Sequence, residues 1–68
     1  MDEFKVNMIK GAIELAAQRG ETGVIKVMFP DHTMAFITPI GNLYYNGHLS
    51  DEAIEDITKY LVDKYKLQ

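Results

Sequence analysis

The sequence predicts an α+β fold, a two-layer αβββα domain in which a three-stranded antiparallel meander carries both helices on one face. Three observations lead there. Charge collects at the two ends: residues 1–26 hold four basic and four acidic side chains, residues 51–68 hold three and five, and between Val27 and Ser50 the one formal charge is Asp31. Apolar residues recur at helical spacing in both charged flanks. The central stretch VMFPDHTMAFITPIGNLYYNGHLS is built instead from Val, Phe, Ile, Thr and Tyr, broken by Pro and Gly, which is the composition of strands and turns.

The first helix is expected from Asp2 to Arg19, with Asp2 as N-cap and Gly20 as the stop at its C-terminal end. At about 100° per residue, Val6, Ile9, Ala12, Ile13, Ala16 and Ala17 share one face. Phe4, Met8 and Leu15 form a second apolar stripe to the side, with Gly11 beside it. An arc this wide predicts two contacts: the sheet, and either the second helix or another molecule. Gly11 reads as a small residue that lets a neighbouring element approach closely, with a kink or a dimer contact as alternatives.

Three short strands follow. Val24 to Phe29 leads into Pro30-Asp31-His32, where Pro pre-sets one turn angle and Asp can bond its own backbone. Met34 to Thr38 ends at Pro39-Ile40-Gly41-Asn42, which suits a type I turn ending in a left-handed Gly. Leu43 to Tyr45 is closed by Asn46-Gly47. Loops this short force antiparallel neighbours.

The last helix is the best defined element. Ser50 is a favourable N-cap, and Asp51 and Glu52 occupy the first turn, where the helix dipole favours acids. Ala53, Ile54, Ile57, Leu61 and Tyr65 form an apolar face, while Glu52, Glu55, Asp56, Lys59, Asp63 and Lys66 fall on the opposite side.

Strand alternation leaves a surplus. Whichever side of the sheet meets the helices, the other keeps apolar groups and little charge beyond Lys26. The outer sheet face, represented by Met28, Ile37 and Tyr44, is therefore expected to meet another chain, most simply a second copy in a two-fold homodimer.

Composition narrows the function classes. The chain has 68 residues, no cysteine, and a net charge of −3. Without cysteine it has no disulfide framework, no thiolate metal site and no cysteine nucleophile, so a reducing, cytoplasmic setting is expected. No apolar run approaches the 18 or so residues of a membrane span, and the acidic opening Asp2-Glu3 is the reverse of a signal peptide. Enzyme signatures are thin, which leaves a small enzyme as the third reading. His32 and His48 sit in loops without HExxH-type spacing and read as solvated turn residues, with a metal or acid-base role as the alternative. Ser50 is explained as a cap, and Gly20-Glu21-Thr22-Gly23 is no phosphate cradle. No metal and no cofactor are expected.

The order αβββα is also that of the double-stranded-RNA-binding domain. That family places a basic cluster at the start of its second helix to reach phosphates, where this chain reads Ser50-Asp51-Glu52-Ala53-Ile54-Glu55-Asp56. The resemblance stops at element order, and nucleic-acid binding is the runner-up reading. The sequence points first to a small acidic, non-enzymatic interaction module, an inhibitor or regulator of the kind found among small phage and mobile-element proteins. It would bind a protein target through the sheet face or through the acidic helix side formed by Asp51, Glu52, Glu55, Asp56 and Asp63.

Overall fold

The computed structural model describes residues 2–66, and the side chain of Asp2, with its expected capping role, lies outside the described residues. The elements run α1 (Asp2–Gln18), β1 (Ile25–Met28), β2 (Met34–Thr38), β3 (Asn42–Tyr45) and α2 (Asp51–Tyr65). The strands pair antiparallel in the order β1-β2-β3, giving the αβββα arrangement the sequence predicts.

Helix α1 ends one residue earlier than expected, in a Schellman-type cap. Gly20 sits at φ 69°, the Gly20 N–H donates to the Ala17 carbonyl, and the Glu21 N–H donates to the Ala16 carbonyl. Helix α2 opens on Ser50, whose Oγ accepts from the Ala53 N–H at 3.1 Å. It closes with Lys66 in the left-handed region, its N–H donating to the Val62 carbonyl.

Both hairpins follow their turn residues. Between β1 and β2, the His32 N–H donates to the Phe29 carbonyl and His32 adopts φ 71°. This is a type I turn with Pro30 at its second position, followed by a left-handed residue. Between β2 and β3, the Gly41 N–H donates to the Thr38 carbonyl at 2.9 Å, and Gly41 itself takes φ 109°.

The core lies between the sheet and the two helices. Val6, Ile9, Ile13 and Ala16 come from α1, Ala53, Ile57 and Leu61 from α2, and Ile25, Val27, Ala35 and Ile37 from the strands, with Phe29 and Leu49 closing the ends. Helix α1 packs on β1 and on α2, and α2 packs also on β3. Among the described residues no buried side-chain polar atom lacks a hydrogen bond.

Two expectations are corrected. Ile37 pairs with Ile25 and Leu43 and is fully buried, so it belongs to the inner face. With a side-chain period of two, Phe36 takes the outer position. Gly11 admits no close neighbour either: a Cβ built on it would meet nothing within 4 Å.

Candidate functional site

The outer sheet face is assembled row by row by the strand register. Lys26, Phe36 and Tyr44 form one cross-strand row, and Met28 pairs with Met34 in the next. Both helices cover the opposite face, so Met28 keeps 65% and Tyr44 59% of its surface exposed. A methionine-and-aromatic surface of this kind adapts its shape easily and offers large apolar contact area. Of the expected set, Met28 and Tyr44 share this face, with Phe36 in the place expected for Ile37.

The acidic side of α2 is partly used within the chain. Asp56 accepts from the Lys10 ammonium at 3.1 Å, tying α2 to α1. Beside that pair the Tyr60 hydroxyl donates to Glu14 at 2.7 Å, and this bond holds the Tyr60 phenol above its ordinary pKa. Asp51, Glu52, Glu55 and Asp63 are exposed and make no ion pair among the described residues. Glu55 and Asp63 flank a shallow hollow with Thr58, Lys59 and Val62. Four of the five expected acids thus remain available at the surface; Asp56 is engaged by Lys10.

A polar cluster that the sequence reading missed joins α1 to the sheet. The Lys5 ammonium donates to Asp31 at 2.6 Å, to Thr33 Oγ1 at 3.3 Å and to the Tyr45 hydroxyl. Thr33 Oγ1 lies 2.5 Å from Asp31 Oδ1, and 3.0 Å from the Tyr45 hydroxyl. Donor counting settles the directions: Lys5 has three protons for three acceptors, Thr33 donates to Asp31, and Tyr45 donates to Thr33. The Lys5 ammonium also stands 5.3 Å from the Phe29 ring centroid and 5.1 Å from that of Tyr45. Those two rings meet edge to face at 5.9 Å.

Electrostatics follow from these contacts. The Lys5 hydrogen bond, then the Thr33 side chain and backbone, hold the Asp31 carboxyl far below the usual carboxylate range. The bonds to Asp31 and Tyr45 hold Lys5 above its ordinary value. Each ammonium and hydroxyl proton in the cluster is donated to another member, so the cluster holds a partly exposed ion pair in place. One signal could have found it: Asp31 is the lone charge in a stretch of 24 residues, and a lone charge among strands asks for a partner.

Tyr45 also explains Gly47. A Cβ on Gly47 would sit 2.7 Å from the Tyr45 ring, so the close approach of backbone to ring requires glycine there. His32 and His48 are exposed loop residues. Among the described residues no group of three or more His, Cys, Asp or Glu could hold a metal ion, and no helix is long and apolar enough to cross a membrane. Compared with protein-family models, with curated proteins and with solved structures, the chain matches none.

Proposed function

We propose that this chain is a non-enzymatic protein-binding module, an inhibitor or regulator working in a reducing, cytoplasmic setting. The target docks on the outer sheet face, through Met28, Phe36 and Tyr44. The exposed acids of α2, Asp51, Glu52, Glu55 and Asp63, steer a basic partner toward the molecule. The observation that carries this reading is the uncovered sheet face, whose apolar side chains none of the described helices or strands shields.

The test is affinity capture from cytosolic extract with the wild-type chain, with Tyr44→Glu and with Glu55→Lys. A specific protein bound by the wild type should be lost with Tyr44→Glu and weakened, in a salt-dependent way, with Glu55→Lys. Circular dichroism should show all three folded. Undiminished capture by folded Tyr44→Glu would contradict docking on this face.

One observation favours a second reading. Lys26, Phe36 and Tyr44 lie in one cross-strand row, and exposed aromatics beside a cation can stack single-stranded bases. The net charge of −3 works against it. Titration of a labelled single-stranded oligonucleotide at low salt separates the two, since a protein-binding face gives no saturable signal there.

A further inference from the structure

We infer that the flank formed by the outer side of α1 and the free edge of β1 is the interface of a two-fold dimer of this chain. This surface meets the target-docking face at Met28, whose backbone serves here and whose side chain serves there, and Tyr44 lies outside it, so either proposal can fail without the other. The helix contributes the stripe Phe4, Met8 and Leu15. Phe4 and Leu15 are 54% and 53% exposed, because the side of α1 that meets α2 is the one carrying Lys10 and Glu14. Leu15 also lines a groove with Ala12 and Val24 against β1, and Val24 is itself 54% exposed.

The strand contributes its backbone. The Phe29 N–H donates to the Thr33 carbonyl, so alternation turns Val27 and Ile25 toward β2 and leaves the N–H and C=O groups of Lys26 and Met28 facing outward. These groups form an unpaired edge, the usual template for strand addition.

The edge is complementary to itself, which makes the occupant a second copy, and charge favours this edge over the other. Beside β1, Arg19 is paired with Glu21 at 3.6 Å, and Lys26 is the remaining charge along the groove. The opposite edge, at β3, lies beside α2, whose first turn carries Asp51 and Glu52, so a two-fold contact there draws two acidic helix starts toward each other. Like charges brought that close repel. At β1 an antiparallel register with Val27 on the axis places Lys26 opposite Met28 of the second copy. Each of the two symmetric pairs then exchanges both backbone bonds, and no lysine faces a lysine.

The same axis gives Gly11 a purpose. A glycine in a helix interior weakens the helix, and among the described residues no neighbouring element comes within 4 Å of a Cβ built on this one. On the flank facing a second α1, it permits close helix contact. An edge strand alone falls short of the roughly 800 Å² per partner that stable interfaces bury, whereas strand and helix covered together offer a two-layer surface.

Sedimentation over about 1–500 μM provides the test, with wild type compared to Lys26→Pro, Leu15→Glu and Tyr44→Lys. Lys26→Pro removes an outward N–H that the β1–β2 ladder does not use, and Leu15→Glu changes an exposed side chain, so at least one variant folds as a monomer. The wild type should approach twice its 7.7 kDa mass. Both flank variants should weaken dimerisation by about tenfold or more, a loss of at least one well-made contact, and Tyr44→Lys should leave it unchanged. A wild-type monomer throughout the range, or a dimer that survives a folded flank variant, overturns the proposal.

Discussion

Lys5 and Asp31, at opposite ends of the α1-to-hairpin connection, close to 2.6 Å and fasten the first helix to the β1–β2 turn. The pair has a definite pH signature. Asp31 titrates below its ordinary value of 3.8 in the folded chain, so its contribution is present above that value and is lost as pH falls further. Lys5 titrates above 10.5, so its contribution is present below that value and is lost as pH rises through the folded one. Asp31→Asn should lower the urea midpoint by a constant amount between about pH 5 and 9, and the gap should narrow progressively below about pH 4. A gap unchanged down to pH 2 would show that the ion pair contributes nothing.

The two glycines Gly11 and Gly47 should respond to alanine in opposite senses. Gly47→Ala forces a methyl group against the Tyr45 ring, which Lys5, Thr33 and Phe29 hold in place. Such overpacking costs about 1–3 kcal/mol. Gly11→Ala meets open space and gains about 1 kcal/mol of helix propensity. Chemical denaturation, at a concentration where sedimentation reports monomer, reads both.

Ile37 and Phe36 are neighbours on opposite faces, and their truncation should differ sharply. Ile37→Ala opens a cavity in the core and costs about 2–5 kcal/mol. A chain of this length has roughly 3–10 kcal/mol in total, so the variant sits near the unfolding threshold. Phe36→Thr, on the outer face, should stay within about 1 kcal/mol. A larger cost at Phe36 than at Ile37 would mean that the sheet presents its other face to the helices.

Removing the cap of α2 is a fourth stability test. Ser50→Ala loses the acceptor for the Ala53 N–H and should cost about 1 kcal/mol, seen as a lower thermal midpoint with unchanged helix content at 25 °C.

Local signals were legible in the sequence, and relations between distant segments were not. The Ser50 cap, the acidic first turn of α2, the Gly20 stop and both Pro-containing turns follow from neighbours within a few positions, and the structure contains them. Orientation of the sheet was harder, because Met34-Ala35-Phe36-Ile37 is apolar at every position and its alternation names no inner side. The helices decide it by covering Ala35 and Ile37, small and branched side chains that fit against Ile13 and Ile57 in one core. The Lys5 cluster joins residues up to 40 positions apart, and no local pattern encodes that closure. Gly11 shows the converse: its type suggests a close neighbour, and the described residues supply none.

The central claim is that the outer sheet face binds a protein. Photo-crosslinking tests it most directly, with a photoreactive phenylalanine analogue placed at Tyr44, or at Lys59 on the outer side of α2 as the control, and the chain exposed in native cytosolic extract. A discrete protein adduct is expected from position 44, absent or much weaker from position 59. Adducts of equal strength from both positions, or an adduct at 44 that nuclease removes, would contradict the claim.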